Sequence, residues 1–199
     1  MTIEKQTYEI EVPDDLIYET IDWKPVYYSG YRNVLSKNIS IDEIMGCSSI
    51  QSLIISLLTG FLLRNLNSKE YQVMGSELGL HIDAGSNLAA DIAIFIKSQL
   101  HGKITNNYIT VAPKIIFEID AKADLNDFDA VMNYFDAKTK KLFTFGVETV
   151  YWVISANRKI MIAQPGKNWM MINWNESFTI LDGCTINLQE LIDENGLIN

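Results

Sequence analysis

Histidine, cysteine and proline are scarce in this chain: two, two and four residues among 199. Each shortage excludes something. Cys47 and Cys184 lie far apart, with no CxxC pair and no histidine beside them, so neither a disulfide scaffold nor a zinc site of ordinary spacing is available. Lone thiols of this kind are expected as small buried hydrophobes. Four Pro and eleven Gly are too few for a linker-dominated or collagen-like chain. His81 and His101 stand alone in sequence. There is no phosphate-cradling glycine loop, no dinucleotide-binding glycine fingerprint, no nucleophile elbow and no paired-histidine zinc helix. The longest apolar stretch, residues 53–63, contains Ser56, Thr59 and Gly60 and stops at Arg64. It reads as a buried helix, short of the ~20 apolar residues of a membrane span. Positive charge is in the minority, 16 basic against 25 acidic residues, a net charge of −9. An acidic surface repels phosphate backbones, which argues against a general nucleic-acid coat. It leaves room for a nuclease, whose metal offsets carboxylate charge locally. The N-terminal MTIEKQTYEIEVPDD has no basic region leading into an apolar run, so no signal peptide is expected and the cytoplasm is the expected compartment.

What is present is ordinary globular composition, 48% hydrophobic and 21% charged. At this length one domain, 1–199, is expected, large enough to fold without metal or disulfide. Residues 17–28 and 31–36 read as short strands around Ser29 and Gly30. A helix capped by Ser48 or Ser49 follows, with apolar residues at Ile50, Leu53, Ile54, Leu57, Leu58, Phe61 and Leu62. Extended segments are expected at 71–82, 91–96 and 114–120, with a polar loop over 97–113. A helix should run from about Asn126 to Phe145 and end at Gly146. Strands at 149–155 and 158–164 lead into a tail with one or two strands and a short helix near 188–193. The four tryptophans, Trp23, Trp152, Trp169 and Trp174, are expected as core or interface anchors. The order predicts an α/β fold, a mixed sheet flanked by helices.

The chemistry is concentrated in three elements. Asp91 opens an otherwise apolar strand. Glu118 interrupts the strand Lys114-Ile-Ile-Phe-Glu-Ile-Asp, and period two places Ile116, Glu118 and Asp120 on one face. If the two strands are neighbours, Asp91 meets these acids, and converging carboxylates make a hard-oxygen site suited to Mg²⁺ or Mn²⁺. Acids buried in strands need a cation. Lys122 lies two residues past Asp120. Lys138 falls at the edge of the helical core stripe of Phe128, Val131, Phe135 and Leu142, whereas Lys140 faces solvent and Lys141 is intermediate.

These residues resemble the Uma-type family of restriction endonucleases, within the PD-(D/E)XK nuclease superfamily. The resemblance runs over nearly the whole chain. Tyr18-Glu-Thr-Ile-Asp looks like the family's opening strand, Gly46-Cys-Ser-Ser-Ile-Gln its helix start, Ala90-Asp-Ile-Ala-Ile its Pro-Asp strand and Ile115-Ile-Phe-Glu-Ile its strand ending in Glu. Lys138 precedes Gly146-Val-Glu-Thr-Val-Tyr-Trp, which resembles the family's Gly-Val entry to a Trp strand. Departures are Ala90 for Pro, Gln51 for His, Leu142 for Tyr, and Asp-Ala-Lys-Ala-Asp after Ile119. The resemblance implies a restriction-endonuclease-like fold and hydrolysis of DNA phosphodiester bonds. It implies Asp91, Glu118 and the carbonyl of Ile119 as ligands of Mg²⁺ or Mn²⁺, with Lys138 or Lys122 orienting water and stabilising phosphate charge. Asp120 would support a second metal or the lysine, and Glu19 is a candidate outer ligand. A homodimer would let two sites cut both strands. The rival expectation is a nuclease fold kept as a binding or assembly module.

Overall fold

The structure is a computed structural model that describes residues 12–129 and 131–197. The N-terminal acidic run up to residue 11, and the Val131 side chain expected in the helical core stripe, lie outside the described residues. Strands β1 (Ile17–Ile21) and β2 (Lys24–Tyr27) form a hairpin. Two short helices follow, α1 (Tyr31–Leu35) and α2 (Asp42–Met45). The strand expected over 31–36 is therefore a helix. Tyr31, Val34 and Leu35 have helical spacing, and Gly30, at φ 86°, turns the chain out of the hairpin. Arg32 then holds α1 in place through Asp124 and Asp127.

Helix α3 (Ser49–Asn65) starts as expected, with Ser48 Oγ accepting from the Gln51 N–H at 3.2 Å. By length and composition alone, Asp42–Asn65 is apolar enough to cross a membrane. However, Gly46 breaks it in extended backbone, and α3 buries Ile54, Leu58 and Leu62 against the sheet. Strands β3 (Tyr71–Asp83) and β4 (Ser86–Ile96) form a long hairpin. Asp91 is thus mid-strand rather than first. The small residues before it, Ala89 and Ala90, lack the apolar signature of a strand, yet they pair with Gly79 and Leu78.

After β5 (Ile115–Ile119), a single tight turn at 125–127 is capped by Asp124, and helix α4 (Val131–Phe145) begins later than expected. Gly146 ends it at φ 120°. The chain continues through β6 (Thr149–Ile154), β7 (Lys159–Ala163), β8 (Met170–Asn173), β9 (Phe178–Leu181) and β10 (Cys184–Ile186) to α5 (Leu188–Asn195). The tail therefore holds three strands instead of one or two.

Seven strands run in the order β2-β1-β4-β5-β6-β7-β8, with β3 also on β4, while β9 and β10 form a separate ribbon. Among the strands of the described residues, β5 and β6 are the parallel pair, joined by α4. One face, with Ile115, Phe117 and Ile119, packs on α3 and α5. The other, with Ile116 and Trp152, packs on Tyr134, Phe135 and Leu142 of α4. The cysteine expectation fails at Cys47. Cys47 is exposed in the break before α3, whereas Cys184, at the start of the β9–β10 ribbon, is half-buried against the core layer that α5 covers. Trp23 is 75% exposed at the β1–β2 turn, covering Gly85 where no Cβ intrudes.

Candidate active site

The site arises where the sheet comes apart. On one edge β4 pairs with β5 at Ile92, Ala93 and Ile94, and with β1 at Asn87. Between those pairings the ladder is missing, so buried backbone groups there need other partners. Three side chains supply them. Asp91 Oδ2 accepts from the Ile119 N–H at 2.7 Å. Glu19 Oε1 accepts from the Ala89 N–H at 2.9 Å. Lys138 Nζ donates to the Ala89 carbonyl at 2.8 Å. The charged residues thus stand in for strand pairing, which explains why they are tolerated in a core.

The same groups meet each other. Lys138 Nζ reaches Glu19 Oε1 at 2.6 Å and Glu118 Oε2 at 3.0 Å. Tyr134 Oη donates to Glu19 Oε2 at 2.9 Å, and Gln51 Nε2 approaches Asp91 Oδ2 at 3.5 Å. Glu19, Asp91, Glu118 and Lys138 are each 3% exposed or less. One ammonium for three carboxylates leaves the cluster two charges short of neutrality when all are ionised. Burial pushes the Asp91 carboxyl up, against the Ile119 N–H and Lys138. Burial also pushes Glu118 up to about 8, opposed by Lys138 and reinforced by Asp91 and Glu19. Burial pulls the Lys138 ammonium down, but Glu118 and Glu19 more than reverse this and hold it well above its usual range.

A stability prediction follows from Glu118. Its proton is held more tightly in the folded chain than in the unfolded one, so folding takes up a proton between about pH 4.5 and 8. Stability should fall as pH rises across that window and level off above it. Urea unfolding in EDTA should show this slope, and Glu118→Gln should flatten it. A flat wild-type profile would contradict the raised Glu118 value.

Of the residues singled out in the sequence, the structure brings Asp91, Glu118 and Lys138 together. Asp120 goes elsewhere. Strand β5 ends at Ile119, and Asp120 adopts φ 52°, which breaks the period-two alternation that would have aligned it with Glu118. Its carboxylate accepts from Ser155 N at 2.8 Å and Ser155 Oγ at 2.6 Å. Lys122 pairs with Glu77 of β3. Glu19, a marginal candidate in the sequence, is central. The available signal was its position between Ile17 and Ile21, the same face of a strand whose Ile21 is buried. Tyr134 gave no signal, because a tyrosine in an apolar helical stripe reads as core.

The donor set suits a small divalent ion in two respects. Glu118 Oε1 is a buried oxygen with no hydrogen-bond partner. With all three carboxylates ionised, the cluster's charge deficit is also the size of one dication. Among the described residues no three acidic, histidine or cysteine side chains converge as a metal cage. The protein would therefore offer two carboxylates, a pattern typical of Mg²⁺, which keeps water and phosphate ligands.

No protein-family model matches the chain, and no curated protein matches it significantly. Among solved structures, the crystal structure of a "putative nuclease belonging to DUF820" from Anabaena variabilis ATCC 29413 is similar, with a TM-score of 0.64 at 12% identity. The likeness covers 88% of this chain and 89% of that one. At this identity it speaks for the fold alone. The mixed sheet flanked by helices is the restriction-endonuclease-like arrangement expected from the sequence.

Proposed function

We propose that this chain is a metal-dependent nuclease of the PD-(D/E)XK type, related to the Uma-type family, that hydrolyses phosphodiester bonds in DNA in the cytoplasm. The observation that carries this reading is the unpartnered Glu118 Oε1, in a carboxylate cluster whose single ammonium comes from α4. Asp91 and Glu118 would hold Mg²⁺ or Mn²⁺, with the Ile119 carbonyl as a further ligand. When bound, the ion supplies Lewis-acid polarisation of the phosphate and a water of lowered pKa. The chain's own residues do the rest. The Ile119 N–H and Gln51 orient Asp91. Glu19, itself held by Tyr134, fixes the Lys138 ammonium, which stays protonated and would stabilise negative charge on a phosphate bound at the cluster.

A second reading, an inactive binding or assembly module, is favoured by the near-complete burial of all four charged groups and the net charge of −9. Incubation of supercoiled DNA with the protein and Mg²⁺ or Mn²⁺, beside calorimetric titration with Mn²⁺, separates the two. The nuclease reading expects nicked or linear product and saturable Mn²⁺ binding. No product and no binding by a folded protein would leave the module.

A further inference from the structure

A cavity of about 280 Å³ adjoins the charged cluster, lined by Tyr18, Tyr28, Tyr108, Asn87, Glu19 and Glu77 among others. It shares structure with the site: Glu19 and Ala89 line it, and both are held by Lys138. Its volume is at the small end of ordinary ligand sites, which begin at roughly 300 Å³. Three tyrosines line it beside polar groups. Tyr18 and Tyr28 pack with ring centroids 5.2 Å apart. Tyr108 comes from the long loop before β5 and is 58% exposed, although large aromatic rings usually bury themselves. Its ring lies on Gly79 so closely that a Cβ there would be 2.5 Å from it. Glycine at 79 is what allows the ring to lie across the cavity wall.

The rim is unusual as well. Ser76 and Glu77 are consecutive non-glycine residues at φ 68° and 55°, inside a register shift of β3. Such conformations are costly and persist where the surroundings impose them, often at ligand sites. Here they turn Glu77 onto the cavity and pair it with Lys122. The Glu77–Lys122 pair fixes this part of the wall.

We infer that this cavity takes one unstacked nucleobase of the substrate, so that the enzyme acts on single strands or flipped-out nucleotides in preference to intact duplex. The proposal rests on the nuclease reading for the identity of its occupant. A base inside a stacked duplex cannot reach into a recess of this size, whereas an extruded one finds tyrosine rings to stack on and the Glu77 carboxylate as an acceptor for its amino group.

Binding of a labelled short oligodeoxyadenylate, followed by fluorescence anisotropy in EDTA, tests this without cleavage. Wild-type protein should bind the single strand at least about tenfold more tightly than the same sequence annealed to its complement. Tyr108→Ala should weaken single-strand binding by about tenfold or more, the usual loss for one stacking aromatic. Gly79→Ala, which displaces the ring without deleting it, should weaken it in the same direction. Equal affinity for single strand and duplex, or no effect of Tyr108→Ala in a folded protein, would overturn the inference even if DNA is cut. Tyr108-dependent binding without cleavage under Mg²⁺ or Mn²⁺ would uphold the cavity and reject the nuclease.

Discussion

Replacing Lys138 with methionine should cost the fold about 3–5 kcal/mol, the loss typical of a buried ion pair stripped of one partner. Lys138 is fully buried and carries three hydrogen bonds, to Glu19, Glu118 and the Ala89 carbonyl. Methionine fills most of the volume, so little of the loss is cavity. What remains is electrostatic. Two carboxylates face an apolar thioether, and the Ala89 carbonyl loses its donor where the β4 ladder is open. Glu118 can take up a proton, whereas Glu19 stays tied in place by the Ala89 N–H and Tyr134 Oη. Melting should fall by ~10 °C. Adding Glu19→Gln to Lys138→Met should recover part of the loss, because it removes the stranded charge while keeping an acceptor for the Ala89 N–H. Urea unfolding of both single variants and the double gives the coupling directly. A loss under about 1 kcal/mol for Lys138→Met would mean that the ammonium does not hold this cluster together.

Asp91→Asn should reduce metal-dependent DNA cleavage by at least about a hundredfold while leaving the fold intact, on the scale seen when a preorganised charge-stabilising group is removed. The amide oxygen can still accept the Ile119 N–H, so the splayed strand keeps its partner. The negative charge is lost, and with it the capacity to neutralise a dication. Because burial already disfavours the Asp91 carboxylate, the neutral amide should leave stability unchanged or slightly raised. Asp91→Ala is a less clean variant, since it orphans a buried N–H at a cost of about 1–3 kcal/mol. Cleavage at the wild-type rate by Asp91→Asn would remove Asp91 from the site.

Most of the fold was legible because its signals are local. The cap at Ser48, the apolar face of α3, the alternation through β5 and Gly146 at the end of α4 each depend on a few neighbouring residues, and each is found. Helical register alone placed Lys138 beside the core stripe, where it is buried, and Lys140 in solvent. The misses are cases where distant chain overrode local preference. Residues 31–35 are too few for their spacing to be read on its own, and Arg32 fixes them as a helix through Asp124 and Asp127, more than ninety positions away. Asp120 lost its expected face when its backbone left the strand to meet Ser155.

Composition and periodicity by themselves determined an acidic α/β chain with a carboxylate on each of two strands and a lysine on the helix between β5 and β6. Only the tertiary structure decided which lysine and which acids share a space. That choice depends on where β4 stops pairing with β5 and β1 begins to pair with it. The unpaired N–H and C=O groups left in that gap draw in Glu19, Asp91 and Lys138, and exclude Asp120 and Lys122. Strand divergence is a property of the packed sheet, set by contacts far apart in the chain, so no local pattern of residues announces it.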